Sequence, residues 1–191
     1  MGFSAIFERE KHKLTSSKAV SLMAVAGAVT GAGFLLTAPI PLAPGLIHLR
    51  ILAFLPAIFG ILYGPRVGFA SGAIGTLIWA LLGGYFNPAT PTFDLVGVGL
   101  WGAIPGIMLA AEDCKNRKGL IKATAISTIA VVISLPIIAL GFEVVGLMPF
   151  FTALIALVLA DIPPMIIGTP LALAAIIPVM EERGLLPDER Y

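Results

Sequence analysis

Unbroken apolar runs of about 20 residues recur along this chain, the length a helix needs to cross a hydrocarbon core of about 30 Å. Strands of a membrane barrel would instead alternate apolar and polar at every second residue. The runs therefore predict an all-α integral membrane protein. Charge supports this: 12% of residues are charged and 58% hydrophobic, where a soluble domain carries about 25% charged residues.

The runs and their punctuation predict one domain over 1–191 with six spans, at about 17–37, 48–63, 65–83, 93–111, 119–140 and 161–182. Gly64-Pro65 turns the chain sharply between the second and third spans. The first run is longer than a signal-peptide core and is read as a retained span. Residues 149–182 would be about 50 Å long as one helix, and Pro163-Pro164 interrupts them. We expect a short extra helix at about 149–159, with Asp161 at or near the N-cap of the sixth span and both prolines in its first turn. A single kinked helix is the alternative.

Six spans place both termini on one side. Arg9, Lys11, Lys13, Lys18, Arg66, Lys115, Arg117, Lys118, Lys122, Arg183 and Arg190 all fall on that side, which the positive-inside rule makes cytoplasmic. Of the 12 basic residues only Arg50 departs from it. It follows a proline-rich stretch, 38–45, that reads as a stiff outer lid.

On that outer half lie His48, Arg50, Asp94, Glu143 and Asp161. An ionisable group at membrane depth needs a partner, a cavity or water. Each has a structural reading and a ligand-binding one. Asp94 complements a helix N-terminus or accepts from a ligand. Asp161 caps a helix or does the same, and Glu143 is a solvated loop acid or part of a site. His48 is interfacial or a ligand contact. Arg50 pairs with Asp94 or Asp161, or presents its forked donors to an anionic or carbonyl group. Trp79, with Tyr85, belongs to an aromatic belt or stacks on a ligand. Trp101 is core or stacking wall. Asn87 makes an Asx-turn or contacts a ligand.

Ala24, Ala28 and Ala32 recur every fourth residue of the first span beside Gly27 and Gly31, a small-residue ridge that lets another helix approach closely. Cys114 is the only cysteine and supports neither a disulfide nor a thiolate cluster. No Walker-A loop, HExxH, GxSxG or metal-spaced His/Cys cluster occurs, so no cofactor, metal site or enzymatic constellation is expected. A net charge of +1 gives no basis for nucleic-acid binding. The chemistry left open is ligand capture, or a structural or assembly protein whose buried charges only pair with each other.

The stretch IHLRILAFLPAIFGILYGPRVGFASGAIGTLIWALLGG resembles the substrate-binding S components of energy-coupling factor (ECF) transporters. The match rests on Arg50, Leu55-Pro56, Tyr63-Gly64-Pro65, Gly68, Gly72 and Gly75, with the alanine ridge and overall size in agreement. The resemblance implies a prokaryotic plasma-membrane protein that captures a vitamin-like nutrient from outside. It also implies docking on a transmembrane coupling subunit with two ATPases, through Ala24, Ala28 and Ala32. The implied ligand region covers residues 38–50, the outer part of the fourth span, 141–161 and the start of the sixth span. The Arg-xxxx-Leu-Pro phrase leans toward branches handling queuosine precursors or folate-like compounds. The His-rich terminus of nickel and cobalt types is missing.

Overall fold

The computed structural model describes residues 17–37, 41–43, 47–186 and 190–191. The basic residues Arg9, Lys11 and Lys13, and much of the proline-rich stretch 38–45, lie outside the described residues.

The described chain is a helical bundle. Its elements are α1 (Ser17–Thr37), a small antiparallel hairpin of β1 (Pro41–Ala43) and β2 (Ile47–His48), α2 (Leu55–Tyr63), α3 (Pro65–Gly83), α4 (Leu95–Met108), α5 (Arg117–Val144) and α6 (Phe150–Glu182). A π-turn, Thr90–Asp94, leads into α4, and a 3₁₀ turn, Ala111–Cys114, precedes α5. Among the described residues five segments are long and apolar enough to cross a membrane: α1, α3, α4 with its π-turn, α5 and α6.

Two expectations change. The second span, expected at 48–63, is helical only over Leu55–Tyr63, a rise of about 13 Å. The preceding residues form turns instead, with Ala53 N donating to Arg50 O and Leu55 N to Leu52 O. Pro56 supplies the reason: it lacks an N–H and disfavours helical geometry at the residue before it, so a helix starts there more readily than it runs through. The expected break between 149–159 and 161–182 is also absent. α6 runs unbroken through Pro163, Pro164, Pro170 and Pro178, so Asp161 is a mid-helix residue and not an N-cap. Pro163 and Pro164 deprive only the carbonyls four residues earlier of their donors. Unwinding at membrane depth would orphan many more backbone groups with no water to receive them.

Packing follows small residues. α1 lies along α3, α3 along α4, α2 against α4, and α5 against α6. At the crossing of α2, α3 and α4, Gly60, Gly68 and Gly102 bring backbones together. A Cβ on Gly68 would sit 2.6 Å from Gly60 Cα, and one on Gly102 would sit 2.6 Å from Gly68 Cα. Gly75 of α3 also faces α1, against Thr30. Beside it the Thr30 and Ser71 hydroxyls, both fully buried, share a hydrogen bond of 2.7 Å. The two small-residue sets of α1 separate: Gly27 and Gly31 face Ile74 and Ile78 of α3, while Ala24, Ala28 and Ala32 are exposed.

At the other end of the bundle, Arg190 is a helix-end cap. Its Nη2 donates to the carbonyls of Gly60 (3.3 Å), Gly106 (2.8 Å) and Leu109 at the ends of α2 and α4, where the helix dipole favours a cation. Tyr191 N donates to Tyr63 O at 2.7 Å. Lys115 pairs with Glu181 at 2.7 Å. Burial pushes the Cys114 thiol up to about 11, with the neighbouring Asp113 charge adding to the effect.

Candidate functional site

β2 delivers His48, and two residues later Arg50, into one end of the bundle, where Arg50 meets side chains of α1, α3, α4 and α6. Arg50 forms a fork with Asp161 of α6: Nε donates to Oδ1 and Nη2 to Oδ2, both at 2.8 Å. Arg50 is 6% exposed and Asp161 0%. The two ends of this pair come from segments far apart in sequence, so it fixes where the turn 51–54 docks on α6. Phe54 packs over Gly168, where any side chain would meet its ring.

Aromatic faces surround the guanidinium. Its carbon lies 5.0 Å from the Trp101 ring, 5.8 Å from Phe34 and 5.9 Å from Trp79, within cation–π range. Trp101 is fully buried, and its Nε1 donates to Ser134 Oγ on α5 at 2.5 Å. Ser134 in turn donates to Val131 O at 3.0 Å. That chain locks the indole face toward Arg50.

A second layer lies outward. Gly84, with φ 75°, ends α3 in the left-handed conformation. The amides of Tyr85 and Phe86 both return to Ala80 O. This C-cap folds Tyr85 back over the last turn of α3, where its ring stacks on Trp79 (4.9 Å, 22°) and lies 4.1 Å from the His48 ring. Trp79 is only 5% exposed, so it is not the belt residue considered from its place near the end of its span. The face it shares with Gly72, Gly75 and Thr76 is turned inward.

Between these layers is a small cavity lined by Ile47, His48, Arg50, Trp79, Asp94, Ile138, Phe142 and Leu157. It is small, about 10 Å³, room for roughly one water. Three buried polar atoms among its lining residues have no hydrogen-bond partner in the described structure: His48 Nδ1, Trp79 Nε1 and Asp94 Oδ1. Leaving such a group unsatisfied costs about 1–3 kcal/mol. Arg50 is matched by Asp161, and Asp94, 5% exposed, forms no ion pair with the described residues.

Of the eight ligand candidates, the fold brings six together: His48, Arg50, Trp79, Asp94, Trp101 and Asp161. Asn87 lies aside in a turn, its Oδ1 accepting from Ala89 N at 2.9 Å and its Nδ2 donating to Tyr85 O. Glu143 was expected in an outer loop. It stands instead in the last turn of α5, exposed, and accepts from Phe150 N at the start of α6 at 3.4 Å. Tyr85, which the sequence pairs with Trp79, joins the cluster although it is not among the eight candidates, and sequence reasoning missed Ser134. The Gly83-Gly84-Tyr85 sequence carried a signal for Tyr85, because a glycine at a helix end brings the next residue back onto the last turn. Ser134 carried none, since its partner lies on another helix.

No metal-holding group of three or more His, Cys, Asp or Glu occurs among the described residues. No curated protein matches the chain. A family model described as ECF-type riboflavin transporter, S component, matches residues 14–179. That span is most of the chain, and the protein belongs to this family of transporter substrate-binding components, not to an enzyme family.

Proposed function

We propose that the chain captures a planar, hydrogen-bonding nutrient of the riboflavin class for ECF-driven uptake, at the cavity between Trp79 and Asp94. The observation that carries this reading is that three residues lining one cavity each carry a buried polar atom with no partner among the described residues. Asp94 offers an acceptor and Trp79 Nε1 a donor. An imide-type edge, N–H beside C=O as in a flavin ring, presents the complementary pair. Trp79 and Tyr85 provide flat apolar faces for such a ring. The matched family's name points to the same compound class.

Arg50 takes a different role from a direct ligand reader. Both donors of its fork are occupied by Asp161, which favours a positioning role that holds the site's floor. The reading in which all buried charges merely pair with each other fails to account for Asp94. Entry of a ring requires the His48–Tyr85 panel to move, because the cavity has room for only about one water.

α2 and its preceding turns serve as a sixth, short crossing, which puts both chain ends on the cytoplasmic face of a prokaryotic plasma membrane. The exposed Ala24, Ala28 and Ala32 form the ridge that meets the coupling subunit, with two ATPases beyond it. The test is titration of the purified protein with riboflavin, with queuosine-precursor and folate-like compounds in parallel. Flavin fluorescence is expected to quench on stacking, and Asp94→Asn to weaken binding more than about tenfold, the value of one charge-assisted hydrogen bond. Absence of binding by every planar compound, or an unchanged affinity in Asp94→Asn, would sink the assignment.

A further inference from the structure

Away from the capture cavity, a groove of about 680 Å³ runs between α5 and α6. Its wall on α5 is one helical face, from Arg117 and Leu120 through Ala125 to Ile129, and Ile166 and Pro170 close it from α6. The lining is almost wholly apolar, and Ile121, Ile129 and Ile166 are each about half exposed. At its Arg117 end the groove continues into a second cleft of about 220 Å³. Arg117 and Leu120 line both spaces. The second cleft is mixed, with Lys115, Asn116 and Glu181 on its walls beside Leu173 and Ile177.

An apolar trough opening into a charged cleft has the form of a receptor for an amphiphile. From Leu120 to Ile129 α5 rises about 13 Å, close to half of a hydrocarbon core of about 30 Å. The trough therefore spans one leaflet and ends where head groups begin. The charges of the cleft are Lys115, Arg117 and Glu181, a net of one positive. Lys115 is matched by Glu181 at 2.7 Å, and Arg117 forms no ion pair with the described residues.

We infer that this composite groove holds one anionic glycerophospholipid, its acyl chain along the α5–α6 trough and its phosphate on Arg117. A guanidinium's forked donors suit phosphate oxygens. Lys118 and Lys122, both exposed on the same end of α5, add attraction for an anionic leaflet. The site lies on the opposite end of α5 from the capture cavity and does not depend on the nutrient assignment.

The test uses the full chain in nanodiscs made from equal parts phosphatidylglycerol and phosphatidylcholine, released into the gas phase for native mass spectrometry. One retained phosphatidylglycerol per chain is expected, favoured at least threefold over phosphatidylcholine. Arg117→Gln is expected to remove the preference while leaving residual lipid. Ala125→Trp is expected to fill the trough and remove both adducts. Ala125→Leu serves as a milder filling in case the larger side chain prevents folding, and is expected to reduce the adduct. Equal retention of the two lipids by the unmodified chain overturns the inference. So does an undiminished phosphatidylglycerol adduct in Arg117→Gln and Ala125→Leu. Efficient cross-linking of Ala125→Cys to a coupling subunit would assign the trough to a protein helix and also overturn it.

Discussion

Replacing Arg50 with alanine strands a charge in the most enclosed part of the molecule. Asp161 is completely buried and both its oxygens accept from Arg50 at 2.8 Å. Removing one partner of such a pair costs about 3–5 kcal/mol, because the remaining charge is left without compensation. Asp94 also loses the nearest positive charge. For a chain of this size each kcal/mol moves the melting temperature by about 2–4 °C, so Arg50→Ala should melt roughly 6–20 °C below the parent. The protein carries its own reporter: Cys114 is the single cysteine and is 2% exposed, so a thiol-reactive dye registers its exposure on heating. The double substitution Arg50→Met with Asp161→Leu removes the charge and its partner together. Such replacements of a buried pair are often near neutral, and the double variant should recover more than half of the loss. A single variant that melts with the parent, or a double variant no better than the single, would refute the account of Arg50 as the anchor between the 51–54 turn and α6.

Asp94→Asn should leave the ligand-free protein as stable as the parent or more so in the same melting assay, since it removes a buried carboxylate that forms no ion pair with the described residues, while lowering affinity. Gly102→Ala should cost about 1–3 kcal/mol or block assembly, read as lost melting temperature or yield, because the new Cβ meets the α3 backbone at Gly68 and neither helix can retreat. Ala28→Trp, on the exposed face of α1, should fold and bind nutrient normally yet fail to co-purify with the coupling module. Cys114 should resist maleimide at pH 8 in the folded state: a thiol raised to about 11 holds only about one part in 1,000 as the reactive thiolate. Labelling at the rate of free glutathione would contradict its burial.

The apolar run lengths determined the class of fold, because a bilayer forces helices of fixed length and little else satisfies the backbone there. The glycines of α3 were visible as a pattern. Arg50 was conspicuous as the basic residue outside the cytoplasmic set, and its candidate partners already included Asp161. What the sequence could not decide was which acid Arg50 meets, since that depends on two chain segments 111 residues apart. Tertiary packing chose Asp161 and left Asp94 facing the cavity. Local rules also misjudged α6, where the prolines read as a break. In water a freed carbonyl finds a new partner and the helix ends. At membrane depth it does not, so the helix continues through Pro163 and Pro164 and carries Asp161 in its middle to the guanidinium.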